Sequence, residues 1–367
     1  MSNGLHFRPT RAEISMSALQ HNAQVARHHA GKCNLLGVIK ADGYGHGAIT
    51  VARAISGTVD AFAVAFIDEA LQLREAGFNQ PIVLLEGCFS EAELPVCAHY
   101  NLQPVVHHQG QIDAILNARL VKPLAVWLKT DTGMHRLGFP PAAVKEATQQ
   151  LENCPQVASV TLMTHFANAE VADDALNQVQ QQRFAELCAS TSPTTALSSA
   201  NTAALLSSAI DLGTDPGQWC RTGILLYGVN PTSHARTEPL QAAMRLTAPV
   251  IALRDVAAGA AVGYGSRWHA GRPSRIATLA IGYADGYPRH APNGTPVWLN
   301  GQRVPLAGTV SMDMITLDVT ELESVAIGDE AELWGPNLPV ATVADAIGTI
   351  SYELLCRVSP RVPRHCK

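Results

Sequence analysis

The chain has 367 residues, which at roughly 150 residues per domain suggests about two domains. Its apolar fraction of 47% and charged fraction of 16% allow a large core and exclude a disordered chain. The net charge of −5, from 26 Lys+Arg against 31 Asp+Glu, comes without basic clusters and argues against a nucleic-acid or anionic-membrane binder. No run of about 18 uncharged apolar residues exists, so no transmembrane helix is expected. The opening MSNGLHFRPTRAEIS lacks an apolar signal core, and a cytoplasmic protein is expected. Eight cysteines (Cys33, Cys88, Cys97, Cys154, Cys188, Cys220, Cys356, Cys366) form no C-x-x-C pair. They read as reduced thiols, with no disulfide frame or zinc site.

Short apolar runs recur through the first two thirds of the chain. They are LLGVI (35–39), AFAVAF (61–66), PIVLL (81–85), QPVV (103–106), LAVWL (124–128), VASVTLM (157–163), TALSS (195–199) and QWCR (218–221). Helical stretches such as IDEALQLREAG (67–77) lie between them. Eight buried strands, each followed by a helix, predict an α/β architecture with an N-terminal (β/α)8 TIM-type barrel rather than an open doubly wound sheet. An earlier strand, AEIS (12–15), precedes a helix starting near Ser17; it lies outside the eight and is free to pair with the C-terminal domain.

From about residue 240 the pattern alternates. MRLTAPVIALRDV (244–256), SRIATLAIGYA (274–284), TPVWLNGQRVPLAG (295–308) and MDMITLDV (312–319) predict a C-terminal, mainly antiparallel β domain. Asn300–Gly301 is a hairpin signal. A short helix near 343–356 closes the domain. The polar stretch 231–241 places the boundary between domains 1–238 and 239–367.

In VIKADGYGHG (38–47), Lys40 ends an apolar strand and a glycine-rich loop follows. That is the catalytic face of a barrel. A lysine among apolar walls loses solvation, which suits it to Schiff-base or general-base work. Alone, the segment reads more readily as an exposed lysine before a turn, and its glycine spacing does not fit a dinucleotide fingerprint. WLKTDTGMHRLG (127–138) gathers Lys129, Asp131, His135 and Arg136 after the fifth strand; an arginine there can hold a carboxylate. His165 follows the sixth strand, Asn201 and Thr202 the seventh, and Arg221, Gly223 and Ile224 close the eighth. Loops after strands seven and eight are the usual phosphate site of a barrel. In the β domain, Tyr264 lies between two glycines, and Tyr283 and Tyr287 flank the Asp285–Gly286 turn. Arg357, Arg361 and Arg364 read as a solvated face without chemistry.

Taken in order, VIKADGYGHG, KTDTGMHRLG, THFANAE, RTGILLYG, VGYG, GYADGYPR and SYELL closely resemble the alanine racemase family over nearly the whole chain. The resemblance implies a pyridoxal 5'-phosphate enzyme that interconverts L- and D-alanine, supplies D-alanine for peptidoglycan, and works as a head-to-tail homodimer with shared active sites. It implies Lys40 as the cofactor-bonded lysine and one catalytic base, with Tyr264 of the partner subunit as the other. Tyr44, Tyr352, Thr202 and the Gly223 and Ile224 amides are implied as phosphate ligands, with Asn201 beside them. Arg221 is implied to meet the pyridine nitrogen, and His165 to link Arg221 to Tyr264. Arg136 and the Met312 amide would hold the substrate carboxylate. Lys129, which the family often carries as a carbamate, would orient Arg136, with Asp313 and Tyr283 in support. No metal, nucleic acid or membrane is implied.

Three positions depart from the family pattern: Thr222 in R-T-G-I, Thr202 where a serine is usual, and Thr309 where an arginine is usual. Thr309 motivates an alternative, a broader racemase acting on serine or larger amino acids. A decarboxylase of the same architecture and a non-catalytic pyridoxal-phosphate carrier made of the barrel alone are further alternatives; the two-base Lys40/Tyr264 arrangement speaks against the first, and the extra β domain with VGYG against the second, since a carrier needs no second base.

Overall fold

The computed structural model describes residues 8–190, 195–207, 210, 217–232 and 239–367. Most of the polar stretch 231–241, and the opening residues 1–7, lie outside the described residues. Contacts divide the chain into two compact units: residues 19–43 with 48–240, and residues 1–18 with 44–47 and 241–367.

The first unit is a parallel barrel. After the N-terminal strand β1 (Arg11–Ile14), its strands are β2 (Asn34–Val38), β3 (Ala61–Val64), β4 (Ile82–Leu84), β5 (Leu102–Val106), β6 (Leu124–Lys129), β7 (Val157–Met163), β8 (Ala196–Ser198) and β9 (Trp219–Thr222). The order is β8-β7-β6-β5-β4-β3-β2-β9. A parallel bridge from Leu197 to Gln218 brings the ends together, beside a hydrogen bond from Ser198 Oγ to the Trp219 carbonyl (2.9 Å). All eight apolar runs are strands of this barrel. Leu35, Leu36, Phe62, Val83, Leu84, Val105 and Leu128 are fully buried, as expected of parallel strands covered on both faces. Trp127 is also buried, and its indole N–H donates to Gln103 Oε1 at 2.8 Å.

Alternation of strand and helix places every strand's C-terminal end at one rim. Lys40, Glu86, Thr130, Thr164, Ala200 and Thr222 each follow or end a strand there.

The second unit is built on the 13-residue strand β10 (Met244–Val256). After it come β11 (Ala261–Val262), β12 (Trp268–His269), β13 (Ser274–Leu279), β14 (Pro296–Leu299), β15 (Gln302–Pro305), β16 (Ile315–Asp318), β17 (Glu330–Trp334) and β18 (Arg364–Cys366). β10 pairs antiparallel with β1, β13 and β17, and β1 pairs parallel with β18. β14 and β15 form the hairpin, with Asn300 at φ 47° and Gly301 at φ 84°; both positive values are those of the turn that matches strand twist.

Three details differ from the sequence reading. The 274–284 run is strand only to Leu279, and Tyr283–Asp285 is a 3-10 turn. The closing helix is two helices, Val340–Ile347 and Ser351–Cys356, because Gly348 takes a left-handed φ of 80° and ends the first. Of the C-terminal arginines, Arg357 and Arg361 are exposed, Arg361 bonding Asp313 Oδ1 (2.7 Å), but Arg364 is not part of a solvated face: it donates to the carbonyls of Gly45, Val358, Ser359 and Val362.

Candidate active site

Lys40 follows β2 after one intervening residue, Ile39, at the barrel rim. Its Nζ lies 3.9 Å from Glu86 Oε1, which stands just past β4. The residues after Lys40 do not form an ordinary loop. Ala41 (φ 53°, ψ 50°), Asp42 (φ 52°, ψ 49°) and Gly43 (φ 61°, ψ 44°) make a left-handed turn. Each non-glycine residue held there costs of order 1–3 kcal/mol. Asp42 Oδ1 accepts from the Ala48 amide (2.8 Å) and Gly43 N–H donates to the Ile39 carbonyl (2.9 Å).

Arg221, on β9, is 4% exposed. It donates to Ser198 Oγ (2.5 Å), to the carbonyls of Thr164 (2.7 Å) and Ser199 (3.1 Å), and to His165 Nδ1 (3.1 Å). Burial lowers its pKa to about 10, so it is cationic at neutral pH. Among the described residues it makes no ion pair. Burial, aided by the charge of Arg221, also holds His165 well below the ordinary imidazole range. Neutral His165, accepting at Nδ1, therefore carries its proton on Nε2.

Lys129 ends β6 and is 7% exposed. Burial first, then the charges of Arg221 and Arg136, pull its pKa to about 7, against the opposing pull of Asp131 and Glu86. Arg136 is exposed on the loop beyond. Asp131 shapes that loop by accepting from the amides of Gly133 (2.9 Å) and His135 (3.1 Å). Thr202 Oγ1 accepts the Gly223 N–H at 2.9 Å, which joins the loops after β8 and β9. Asn201 caps the following helix through Ala204 N–H (2.9 Å), and Ile224 opens a 3-10 turn. The Thr222 hydroxyl is buried without a partner among the described residues.

The barrel unit therefore brings together Lys40, Lys129, Arg136, His165, Asn201, Thr202, Arg221, Gly223 and Ile224 at strand ends. The remaining sequence-nominated residues belong to the sheet unit. There, Tyr44 and Tyr352 rings stand 6.0 Å apart. Burial raises the Tyr44 phenol above its ordinary pKa, helped by Tyr352. A Cβ on Gly45 would meet the Leu355 carbonyl at 2.2 Å, so only glycine allows this approach. Tyr264 opens a 3-10 turn (Tyr264–Ser266) and is 72% exposed. Its carbonyl accepts from Thr309 Oγ1 at 2.9 Å. Tyr283 N–H donates to Ser311 O and Ala284 N–H to Met312 O, both at 3.0 Å. These bonds hold exposed Met312 beside Asp313.

Sequence reasoning missed Glu86, Glu69 and Gln180. Glu86 had a signal, a polar residue between an apolar strand and Gly87 like the one that marked Lys40. Gln180 had none in QVQQQR; it is fully buried and bonds Thr132 Oγ1 (3.1 Å), the His165 carbonyl (3.0 Å) and Ala167 N–H (2.9 Å).

A buried guanidinium without a carboxylate among the described residues, a near-neutral buried lysine and a lysine at a strand end define a class: a (β/α)8-type barrel with a cluster of cationic and amine groups at its rim, suited to an anionic ligand. The buried, cationic Arg221, with no carboxylate partner among the described residues, fits a ligand that presents an acceptor such as a heteroaromatic nitrogen, and the surplus of positive groups fits a phosphate-bearing ligand. Residues 14–231 match the family described as alanine racemase, N-terminal domain, and residues 243–366 match alanine racemase, C-terminal domain. An alanine racemase of Azoarcus sp. (strain BH72) is 48% identical over 360 residues, covering 98% of this chain and 99% of the relative. The biosynthetic alanine racemase of Pseudomonas aeruginosa has a solved structure with TM-score 0.92, 43% identity, and coverage of 98% of this chain and 100% of that one. The solved alanine racemase of Bartonella henselae, which has covalently bound pyridoxal phosphate, gives TM-score 0.88 and 32% identity, covering 98% of this chain and 99% of that one. The chain belongs to the alanine racemase family. It is an amino-acid racemase, an isomerase, and the broader racemase, decarboxylase and carrier alternatives are not favoured.

Proposed function

We propose that this racemase holds pyridoxal 5'-phosphate on Lys40 and inverts alanine with two bases, Lys40 and Tyr264. The observation that carries the cofactor reading is Arg221, buried, cationic and unmatched by any carboxylate among the described residues. Arg221 would face the pyridine nitrogen and keep it an acceptor, since a guanidinium does not give up its proton. Tyr44, Tyr352, Thr202 and the Ile224 amide would hold the phosphate. The Gly223 amide already donates to Thr202 Oγ1, so its share in the phosphate site passes through that hydroxyl. Asn201 holds the neighbouring turn.

When bound, the cofactor supplies an electron sink that makes the Cα proton of alanine acidic. Inversion then needs a proton taken from one face and returned to the other, which calls for two groups on opposite faces. Lys40 Nζ serves one face and Tyr264 Oη the other. Arg136 and the Met312 amide would hold the substrate carboxylate, with Lys129, Asp313 and Tyr283 behind them. The exposure of the Tyr264 ring supports a second reading: the tyrosine serves the site of a partner subunit in a homodimer. No described helix is long and apolar enough to cross a membrane, and none of the eight cysteines is in a disulfide. Both fit a cytoplasmic protein.

Borohydride reduction and peptide mapping test the lysine: label on Lys40 is expected, and label on another lysine overturns the assignment. Subunit mixing tests sharing. Lys40→Ala and Tyr264→Phe chains, each inactive alone, should regain up to about half the activity per heterodimer, because one composite site is then intact. No recovery after verified exchange overturns the shared site.

A further inference from the structure

We infer that Glu69 is a positioning residue for Lys40: its carboxylate holds the left-handed turn that follows the lysine and ties it to the end of the neighbouring strand. The inference rests on the reading of Lys40 as the cofactor lysine.

Glu69 lies in the first turn of the helix Ile67–Glu75. Its Oε1 accepts from the Ala41 amide at 2.6 Å. Its Oε2 accepts from the amides of Ala65 (2.7 Å) and Phe66 (3.3 Å), just past β3. One carboxylate therefore bridges the ends of two adjacent strands. On the other side of Lys40, the Ile39 amide donates to the Ala63 carbonyl of β3 (2.9 Å). The backbone on both sides of Lys40 is thus anchored to the same stretch of chain, and Glu69 supplies the anchor on the side where the backbone is strained.

That side requires one. Ala41 and Asp42 occupy left-handed φ/ψ without being glycine, a conformation that side-chain sterics disfavour. A charge-assisted bond to the Ala41 amide is a compensating interaction of the right size. Without it, the turn can relax toward right-handed or extended backbone, and the Lys40 Cα–Cβ vector moves with it. Bonding to the Ala65 and Phe66 amides alone would make Glu69 an ordinary helix-capping residue. The bond to Ala41 belongs to a different segment and has no part in capping.

The test uses the full-length chain, with Glu69→Gln, Ala41→Gly, the double variant, and Asp68→Asn as a control from the same helical turn. A glutamine amide keeps one acceptor oxygen, so it cannot serve Ala41 and the Ala65–Phe66 pair together. Deuterium exchange read by mass spectrometry on the cofactor-free chain should accelerate at 40–43 in Glu69→Gln by about ten- to a hundredfold, the equivalent of one hydrogen bond to a charged group. Attachment of added pyridoxal 5'-phosphate, trapped on Lys40 by borohydride, should slow by about tenfold or more. Glycine occupies left-handed space without strain, so Ala41→Gly should restore most of the attachment rate in the Glu69→Gln background. Asp68→Asn should behave as wild type. Were Glu69→Gln to lower thermal stability with exchange at 40–43 and attachment unchanged, or were Ala41→Gly to give no rescue, Glu69 would be only a helix cap. Should Glu69→Gln fail to fold, Ala41→Val tests the same turn with Glu69 intact: a β-branched residue there should slow attachment, and unchanged attachment overturns the inference. Trapping on a different lysine in the wild type would overturn the cofactor reading, whereas exchange at 40–43 judges the clamp with no cofactor present.

Discussion

The guanidinium of Arg221 donates to Nδ1 of His165 across 3.1 Å. A cation that donates to one imidazole nitrogen fixes the other as the protonated one, and it opposes a second positive charge on the ring. Burial acts in the same direction and is the larger influence. The pair is therefore one positive charge spread toward a neutral histidine, rather than two cations.

The consequence is measurable by ¹⁵N NMR. His165 should remain neutral, with its proton on Nε2, at a pH of about 6 and below, where an ordinary imidazole of pKa about 6.5 is mostly charged. Arg221→Lys moves the charge to a compact ammonium that cannot span four acceptors. In that variant the His165 tautomer preference should weaken. A His165 that titrates between pH about 6 and 7 in the wild type would refute the neutral assignment.

Lys129 offers a second test. Its pKa of about 7 leaves a substantial fraction of neutral amine at physiological pH, and only the neutral amine attacks carbon dioxide. In ¹³C-bicarbonate the protein should give a carbamate carbonyl signal that Lys129→Ala lacks. The signal should grow as pH rises through about 7, because deprotonation precedes reaction. Identical spectra for the two proteins would show that Lys129 carries no carbamate.

In the sheet unit, Glu13 accepts from Lys367 (2.8 Å), Arg11 (3.0 Å) and Arg245 (3.3 Å). Burial alone would raise its pKa, but these three cations outweigh burial and bring it to about 2. A depressed carboxylate stabilises the fold above its unfolded pKa, about 4.3, and that contribution disappears as pH falls toward the folded value. Thermal midpoints of wild type and Glu13→Gln should therefore differ at neutral pH and converge between pH about 4.3 and 2. A gap that is constant with pH would assign the difference to packing.

The barrel was legible because its signal is local. Eight short, mostly apolar runs separated by helical stretches read as the buried strands of a parallel barrel, and their ends nominated Lys40, Lys129, His165 and Arg221. The sheet was legible where alternation or turn chemistry was strong, as at Asn300–Gly301. β17 was missed although EAELW alternates: Glu332 looks like a solvated residue, yet it is fully buried because Arg245, Asn337 and the Leu338 amide satisfy its carboxylate. β18 is three residues long, and its pairing with β1 joins positions more than 350 apart. The turn after Lys40 was misread as a glycine loop for a related reason. Its conformation at Ala41 is set by Glu69, 28 residues away, and no local propensity predicts a left-handed alanine. Distant partners decide these features, and a single sequence does not display them.

The proposed role of Tyr264 as the second base is tested by reading the two faces of the reaction separately. Its turn has a defined support, the Thr309 hydroxyl on its carbonyl, so Tyr264→Phe removes the phenol while the ring and the turn remain. Loss of a general acid–base group typically lowers rate by about 10² to 10⁴. Racemisation should fall by that order from either enantiomer, because the equilibrium constant between enantiomers cannot change. Exchange of the α-proton with solvent deuterium should not fall equally. If Tyr264 serves the face from which L-alanine loses its proton and Lys40 serves the face used by D-alanine, the variant should still exchange D-alanine without inversion. Exchange of L-alanine should collapse. Proton NMR on each enantiomer in deuterated water reads both rates directly. Equal exchange of the two enantiomers by Tyr264→Phe would mean that one group reaches both faces, and the assignment of Tyr264 as the second base would be wrong.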